Sequence, residues 1–300
     1  MAVLAGVLAA PPPCFCHASP NLCAIPEGNK PAHCSSSIAY RRRVADGRRL
    51  AALPRAVRRR EEELLSQHRC ECFDLHRQIV PIADACAWQR SVVAKRRRGL
   101  KNMYEDRSDT LIALQHSPVF SLGTATRVEE DLLFDVEDAP FERYRVDRGG
   151  KVTYHGPGQL VVYPILNIRS HKMDHQRYLR SLEEMIIRAL KSAFSIKASR
   201  EEGLTGVWVG DKKVAAIGIR VVSGIAYHGL ALNVHDGLDP FRYDCSLWHQ
   251  GPWRFIKEIV QKASDGREID DTSLMDMAYD SIMEEFTGLF DLFLEFRPQP

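Results

Sequence analysis

Residues 147–168 join a glycine-rich polar segment directly to an apolar one, and this junction constrains the fold more than any other feature of the sequence. The polar half places several glycines among arginine, lysine, threonine, tyrosine and histidine side chains. Glycine permits positive φ and lets the backbone approach a ligand closely. The apolar half, residues 160–168, is rich in valine, leucine and isoleucine and predicts a buried strand. The junction therefore predicts the rim of a ligand-binding pocket; the alternative is a glycine-rich hairpin with a solvated basic end.

Two further segments predict strands that carry small side chains. Residues 206–222 predict a hairpin, with apolar strands on either side of a Gly-Asp turn and Lys213 at the start of the return strand. The return strand contains Ala216 and Gly218, and residues 226–234 predict a further strand. Small side chains on a central strand indicate close approach by a ligand or by another backbone. We expect the three segments to line one pocket, although Lys213 taken alone would be an exposed lysine at a hairpin end.

Periodic patterns in the rest of the chain predict the class of fold. Apolar residues recur at helical spacing in residues 178–193 and 274–293, with Asp270 as a candidate cap of the second helix. Shorter patterns predict a strand at residues 72–80 and a helix at residues 83–94. Helices and strands come in blocks rather than in strict alternation. The sequence therefore predicts an α+β fold, with mixed β-sheets flanked by helices.

The composition is that of a soluble globular protein. The 300 residues are 45% hydrophobic and 27% charged. The formal net charge of +2 does not indicate a nucleic-acid partner. A basic run, Arg96-Arg97-Arg98, is typical of a solvated face. No apolar run approaches the roughly 18 residues that a membrane helix needs, so no membrane partner is predicted.

Residues 1–65 differ from the rest of the chain. They are rich in alanine, proline, serine and arginine, and acidic side chains are scarce among them. This composition is typical of a disordered organelle transit peptide. The uncharged start and the late arginines favour the chloroplast (plastid), with the mitochondrion as the alternative. Residues 70–295 are predicted to form a single folded domain.

The eight cysteines indicate neither a disulfide framework nor a metal site. Half of them lie in the first 65 residues near His17 and His33, at spacings that match no zinc pattern. Cys70 and Cys72 would share one face of a strand, because alternate strand residues point the same way. We therefore predict no metal.

Four motifs together resemble the lipoyl(octanoyl) transferases, and the resemblance runs from about Cys70 to the end of the chain. The motifs are Arg148-Gly-Gly-x-x-Thr-Tyr-His155-Gly-Pro-Gly-Gln159, Gly206-Val-Trp-Val, Lys213-x-Ala-Ala-Ile-Gly218 and His228-Gly-Leu-Ala-Leu-Asn-Val234. The resemblance implies the α+β fold of biotin–protein ligases and lipoate ligases, with residues 70–295 as a single octanoyltransferase catalytic domain. The transit-like segment indicates an organellar, plastid-type member.

The resemblance also implies a reaction. An octanoyl group passes from octanoyl-acyl carrier protein to a cysteine, and then to a lysine of a lipoyl domain, as the first step of lipoate biosynthesis. The acceptors are the lipoyl domains of 2-oxoacid dehydrogenase complexes and the glycine cleavage H protein. The acyl group arrives activated, so no cofactor is expected.

The site residues follow from the same resemblance. Lys213 matches the lysine that lowers the pKa of the cysteine and acts in acid–base steps. The positions that match the acyl-binding residues are Arg148, Gly149, Gly150, Lys151, Val152, Thr153, Tyr154, His155, Ala216, Ile217, Gly218, Gly229, Leu230 and Ala231.

The sequence departs from the family pattern at the nucleophile. The Pro-Cys-Gly motif of the family is absent, and its cysteine position falls on Leu247. Cys245 is the candidate nucleophile of the chain as written, but two residues along a strand or loop span about 6–7 Å, too far for productive placement. Residues 244–253 can be back-translated so that the neighbouring reading frame encodes Ile-Val-Pro-Cys-Gly-Ile. Trp248 followed by His249 gives the glycine with any codons, whereas the cysteine requires a Leu247 codon that ends in TG. We therefore infer two compensating frame changes, near Tyr243 and near Phe255, and expect the chain as written to be impaired.

Two other functions stay open at this point. An ATP-dependent biotin or lipoate ligase of the same fold would need residues that face the phosphates of ATP, and no second lysine–glycine motif indicates them. A non-catalytic protein that binds acyl carrier protein or lipoyl domains would account for the missing nucleophile. Release of AMP would identify the first function, and binding without acyl transfer would identify the second.

Overall fold

The computed structural model describes residues 68–101, 109–127, 141–236, 253–264 and 268–299, which all belong to one compact unit, residues 33–300. In chain order the elements are β1 (His68–Val80), α1 (Ile82–Lys101), β2 (Asp109–His116), β3 (Val119–Leu122), β4 (Glu142–Arg145), β5 (Val152–His155), β6 (Gln159–Asn167), α2 (His175–Phe194), β7 (Val207–Val209), β8 (Lys212–Val222), β9 (Ile225–Asn233), α3 (Ile256–Ala263), α4 (Asp271–Phe290) and β10 (Leu292–Arg297). The predictions for residues 1–65, Cys245 and Leu247 lie outside the described residues. None of the described helices is both long enough and apolar enough to cross a membrane.

A mixed seven-stranded sheet, in the order β10-β1-β2-β6-β9-β8-β7, forms the centre of the fold. β1 runs parallel to β10 and to β2, whereas every neighbouring pair from β2 to β7 is antiparallel. β6 and β9 are buried along their whole length. A smaller sheet has the order β4-β3-β5. The α+β class predicted from the sequence, with mixed sheets and flanking helices, is confirmed.

α2 and α4 pack together on one face of the large sheet. α2 begins after Asp174, whose carboxylate accepts a hydrogen bond from the Arg177 amide at 2.7 Å and so caps the helix. The helix ends at Ser195, which adopts a left-handed φ of 56°. The predicted helix at residues 178–193 is confirmed, and its apolar face is buried against α4 and the strands. This face comprises Tyr178, Leu182, Met185, Ile186, Ala189 and Leu190.

α1 packs on the opposite face of the large sheet. Ala85 and Val93 of this helix belong to a second core cluster with Ile112, Val161 and Tyr227 of the strands. The start of α1 also contacts the small sheet, because Ile82, Cys86, Val119 and Val146 form a cluster of their own. The small sheet therefore lies beside the α1 face, and a cleft opens where α1 and the two sheets meet.

The solvated face expected for the basic run is wrong for Arg96. α1 continues beyond the predicted helix at residues 83–94 and carries Arg96 into the interior, where the side chain is 5% exposed. Its guanidinium donates hydrogen bonds to the Thr110 hydroxyl at 2.8 Å and to the Ile165 carbonyl. These long-range partners satisfy the buried cation, and no local pattern in the sequence indicates them. Arg97 and Arg98 are exposed, as predicted.

Candidate active site

Arg148 forms the charged wall of the cleft. Its guanidinium donates to the Ser121 hydroxyl at 2.7 Å, to the Ser121 carbonyl at 3.1 Å and to the Gly149 carbonyl at 3.0 Å. The side chain is only 8% exposed, and burial lowers its pKa to about 10. Neutral oxygen atoms of the protein thus hold the buried Arg148 cation in place at the wall of the cleft.

Gly218 on β8 and Gly229 on β9 are needed because other protein atoms lie too close to leave room for a side chain. A Cβ atom on Gly218 would lie 2.8 Å from Cδ of Arg148, so Gly218 lets the arginine cross the strand. A Cβ atom on Gly229 would lie 2.2 Å from the carbonyl oxygen of Val162 on the neighbouring strand. The backbone of the arginine segment is itself tied to β8, since the Gly149 amide donates to the Ile219 carbonyl at 3.0 Å.

Asp147 attaches the segment that contains Arg148 and Gly149 to β9. Its carboxylate accepts hydrogen bonds from the His228 ring at 2.9 Å and from the Tyr227 hydroxyl. The bond from His228 holds the pKa of the Asp147 carboxyl well below its usual range. His228 adopts a left-handed φ of 60°, and its amide donates to the Gln89 side chain of α1 at 2.9 Å. Hydrogen bonds to Asp147 and Gln89 thereby hold His228 in an uncommon backbone conformation.

The cleft has a volume of about 410 Å³, which includes its open mouth. Polar side chains, among them Ser121, Arg148 and His155, form one part of the lining. β8 and β9 contribute small and aliphatic residues, namely Ala216, Ile217, Gly218, Gly229, Leu230 and Ala231. One side of the cleft is therefore polar and hydrogen-bonding, and the other is apolar with little side-chain bulk.

Lys213 reaches the cleft face of β8 through an irregularity in the strand. β7 pairs Val207 with Ala215 but Trp208 with Lys213, so Val214 is an extra residue, as in a β-bulge. Val214 and Ala215 both join the core under α2 and α4. The bulge breaks the alternation and turns Lys213 to the side of the sheet that faces Arg148.

The environment of Lys213 lowers the basicity of its amine. The residue is 7% exposed, and Nζ lies 5.0 Å from the ring centroid of Trp208 and 5.7 Å from that of Trp253. Burial is the main cause that lowers the pKa of Lys213 to about 8, and the positive charge of Arg148 adds to it. An amine with this pKa exchanges protons readily near neutral pH.

The residues on either side of the segment that carries Cys245 and Leu247 are attached to the strands of the cleft. The amides of Val234 and His235, which precede it, both donate to the Gly158 carbonyl at 3.0 Å. After it, Trp253 forms a bridge with Lys213, and the Arg254 amide donates to the Lys213 carbonyl at 3.0 Å. Both flanks of residues 237–252 are thus attached to the strands of the cleft.

The comparisons with known proteins agree with this geometry. The model of the lipoyl protein ligase A/B catalytic domain family matches residues 81–248. The chloroplastic octanoyltransferase LIP2p2 of Arabidopsis thaliana is 48% identical over 229 residues, which cover 76% of this chain and 81% of the relative. The octanoyltransferase of Gloeobacter violaceus is 44% identical over 57% of this chain and 72% of its own.

The chain belongs to the octanoyltransferases. The predicted family and the predicted octanoyl-transferring enzyme are confirmed by these relatives. Two solved structures share the fold. P. falciparum LipL1 in complex with lipoate has a TM-score of 0.54 at 12% identity, covering 76% of this chain and 65% of that one. Lipoate-protein ligase A bound with ATP has a TM-score of 0.50 at 15% identity, covering 64% and 77%.

The predicted acyl-binding residues of this octanoyltransferase divide into two groups. Those that line the cleft are Arg148, Thr153, His155, Ala216, Ile217, Gly218, Gly229, Leu230 and Ala231. Gly149, Gly150, Lys151, Val152 and Tyr154 are not among the lining residues. Alternation along β5 explains the division: Val152 and Tyr154 pack with Phe120 on the other side of the small sheet.

Several residues of the octanoyltransferase cleft were not predicted. Ser121 and Tyr163 line it, together with Cys86 from α1. His228 and Gln159 were quoted only as parts of motifs, yet His228 holds Asp147, and Gln159 hydrogen-bonds to His155 at 2.7 Å. A histidine and a glutamine stand out in otherwise apolar strand sequences. This contrast could have identified them, because buried polar side chains need hydrogen-bond partners.

A three-residue cluster lies at the opposite end of β2 from His116. His68, Asp109 and His171 bring candidate metal-ligand atoms within 4.8 Å of one another. Nε2 of His171 lies 2.7 Å from Oδ2 of Asp109, and Arg96 lies 3.7 Å from Oδ1. Arg96 already offsets the charge of the buried Asp109 carboxylate, and we assign no metal to the cluster.

Proposed function

We propose that the cleft binds an octanoyl group that arrives on acyl carrier protein, and that the enzyme passes it through a cysteine thioester to a lysine of a lipoyl domain. The observation that carries this proposal is Lys213, a buried amine whose pKa is lowered to about 8 beside the cleft. A base or acid poised near neutral pH suits thioester exchange, because a thiol attacks only as the thiolate.

The apolar side of the cleft suits the fatty chain. Ala216, Gly218 and Ala231 leave space in front of the central strands. Seven methylene and methyl carbons, at about 0.8 kcal/mol each, contribute on the order of 5–6 kcal/mol on burial. The polar side, with Arg148 and His155, then faces the carbonyl end of the acyl group.

Lys213 accepts and then returns the proton that is transferred in each of the two half-reactions. The neutral amine takes the proton of the cysteine thiol, and the thiolate forms a bond to the thioester carbon. The carbon–sulfur bond to the carrier breaks, and the departing carrier thiolate receives the proton from the Lys213 ammonium. In the second half-reaction the amine of the lipoyl domain attacks, its proton passes through Lys213, and the enzyme thiol leaves.

We place the nucleophile in residues 237–252, because the residues that follow this segment are attached to Lys213 and those that precede it are attached to Gly158. We propose position 247 for it, where the chain as written has leucine. Cys245 is the candidate that the written chain offers. Leucine has no nucleophilic atom, so the written chain should bind the octanoyl group without forming a thioester at that position.

The proposal also covers the acceptor proteins and the location of the enzyme in the cell. The acceptors are lipoyl-domain proteins, in particular 2-oxoacid dehydrogenase complexes and the glycine cleavage H protein. Residues 1–65 act as a transit peptide to the plastid, and residues 70–295 act as a single catalytic domain. The chloroplastic name of the Arabidopsis relative supports the plastid over the mitochondrion.

Mass spectrometry of the intact protein after incubation with octanoyl-acyl carrier protein tests the function. Three chains are compared: the chain as written, a chain with Ile-Val-Pro-Cys-Gly-Ile in place of residues 244–249, and the same restored chain with serine at position 247. We expect the octanoyl adduct, and its transfer to a lipoyl domain, in the restored chain alone, at a rate several orders of magnitude above the others.

Other outcomes contradict parts of the proposal. Acylation of Cys245 in the written chain at a rate similar to the restored chain would make Cys245 the nucleophile. Failure of the restored chain to transfer, together with ATP-dependent AMP release, would favour a ligase. Binding without transfer in every chain would favour a non-catalytic binding protein.

A further inference from the structure

Several buried side chains are joined by successive hydrogen bonds, and the donor of each bond can be assigned by starting from the backbone carbonyl at one end. The Tyr154 carbonyl can only accept a hydrogen bond, and the Gln159 side chain lies 3.2 Å from it. The Gln159 atom that faces this carbonyl must therefore be Nε2, the donor. The second hydrogen of Nε2 points to Oδ1 of Asn233, 3.0 Å away.

The orientation of Gln159 fixes the protonation of His155. Oε1 of Gln159 faces Nδ1 of His155 at 2.7 Å, so Nδ1 carries the hydrogen. Burial, with further contributions from the His116 ring and the Arg148 charge, lowers the pKa of His155 well below its ordinary value, so the ring is neutral. Nε2 is then an acceptor, and it receives the Ser121 hydroxyl hydrogen at 2.9 Å.

The same orientation leaves Asn233 with donors to spare. Because Oδ1 of Asn233 accepts from Gln159, its other atom is Nδ2, with two hydrogens. Nδ2 is buried and has no hydrogen-bond partner among the residues that the structure describes. An unmade hydrogen bond of a buried amide is costly, so this donor is available to an acceptor that arrives with a ligand.

The position of Asn233 points to the reacting end of the cleft. Asn233 pairs with Gln159 across β6 and β9, and Ala231 pairs with Val161 two residues away on the same face. Val161 and Ala231 both line the cleft. Leu232, the residue before Asn233, pairs with Ala215 of β8, two positions from Lys213. Val234, the residue after Asn233, donates its amide hydrogen to the Gly158 carbonyl.

We propose that Asn233 is a catalytic residue that donates an Nδ2 hydrogen bond to the oxygen of the octanoyl carbonyl as it becomes an oxyanion. Attack by the nucleophile moves the carbonyl electron pair onto that oxygen, and collapse returns the pair when the thiolate leaves. A pre-oriented neutral donor stabilises the charge without reorganisation. Gln159 and His155 are positioning residues, because they act through the orientation of Asn233.

This inference rests on the octanoyl-transfer function, so its test separates the two. In the restored chain, Asn233→Ala and Asn233→Asp are assayed for transfer, with Ser281→Ala as the matched control. Ser281 is buried in α4 on the opposite face of the sheet and donates to the Ala189 carbonyl at 3.0 Å. Loss of an oxyanion donor is expected to lower kcat by about 100- to 1,000-fold with KM little changed, while the control keeps full kcat.

The positioning role is tested by a double-mutant cycle. Gln159→Glu places oxygen atoms where Nε2 was, so the Asn233 amide loses its fixed orientation. We expect a loss of kcat in this variant and no further loss when it is combined with Asn233→Ala, because both remove the same hydrogen bond. Additive losses would overturn the positioning role of Gln159.

Infrared spectroscopy supplies a readout that does not depend on turnover. The full chain as written is mixed with S-octanoyl-pantetheine carrying a ¹³C carbonyl, and the carbonyl stretch is compared with that of Asn233→Ala. A band lowered in frequency in the parent and restored toward its solution value in the variant supports the proposal.

The negative outcomes are distinct from each other. Full kcat in a folded Asn233→Ala variant, with a lower melting temperature alone, would mean that the amide serves the fold and would overturn the proposal. A restored chain that transfers nothing contradicts the proposed function, and the infrared comparison then decides the role of Asn233: an identical band in parent and variant would overturn it. Failure of the thioester to bind any chain would overturn both.

Discussion

Replacing Lys213 with methionine should stabilise the protein at neutral pH and, in the restored chain, abolish octanoyl transfer. Methionine has an unbranched side chain of similar length but carries no charge, so it fills the same space between Trp208 and Trp253. The pKa of Lys213 falls from 10.5 to about 8, with burial as the leading cause. At about 1.36 kcal/mol per pKa unit, this drop corresponds to about 3 kcal/mol of unfavourable free energy for the charged form in the folded state.

The sign of the pH dependence follows from the two pKa values. Below about pH 8 the amine is protonated in both the folded and unfolded states, so the whole penalty is present. Between about pH 8 and 10.5 the folded protein releases the proton while the unfolded chain keeps it, and the penalty fades. The two aromatic rings attract the ammonium and offset part of the penalty, about 1 kcal/mol. We therefore expect a gain of about 2–3 kcal/mol in the methionine variant near pH 7, falling toward zero near pH 10.5.

Urea unfolding of the parent and of Lys213→Met at pH 7, 9 and 10.5 measures this difference. Groups that titrate in this range and do not interact with Lys213 act equally on both chains, so they cancel in the comparison. Lys212→Met, at the neighbouring and more exposed position, is the matched control and should change stability little at any pH. A methionine variant that is no more stable than the parent at pH 7, or a gain that grows with pH, would refute the reasoning.

Three further predictions concern the nucleophile, a glycine and the first segment. In the restored chain, Lys213→Ala should raise the apparent pKa of the nucleophile and depress transfer, and an unchanged rate profile across pH 6–9 would contradict the role of the lysine. Gly229→Ala should destabilise the fold by about 1–3 kcal/mol or more in urea unfolding, because the added Cβ would lie 2.2 Å from the Val162 carbonyl oxygen; unchanged stability would show that the strands can separate. Residues 1–65 fused to a fluorescent reporter should carry it into plastids with removal of the segment, whereas a reporter that stays in the cytosol would count against a transit peptide.

The elements that the sequence predicted well are those whose signals are local. Hydrophobic periodicity located the helix at residues 178–193, and alternation with a turn signal located the hairpin of β7 and β8. Asp270 was expected as a cap, and its carboxylate does accept from the Ser273 amide at 2.8 Å. Each of these features depends on residues within a few positions of one another.

The details that the sequence did not reveal depend on distant contacts. The bulge at Val214 decides which face of β8 carries Lys213, and it arises from the pairing with β7 rather than from a residue type. Asp147 meets His228 through the folded backbone, 81 positions away along the chain. The buried Arg96 likewise finds its acceptor on β6, at the Ile165 carbonyl. Motif resemblance indicated which segments meet, but tertiary pairing determined how their side chains are aimed.

The parallel pairing of β1 with β10 has a consequence for the order in which the chain acquires its structure. Residues on these strands, such as Arg69 and Glu295, are 226 positions apart, so β1 cannot gain this neighbour until the final strand is available. Closing so long a loop is slow, and until it closes β1 presents an open edge beside Cys70 and Cys72, which are otherwise buried. We therefore expect a nascent chain to expose that edge to pairing with other molecules until the last strand is available, and loss of residues 292–297 would leave it permanently open.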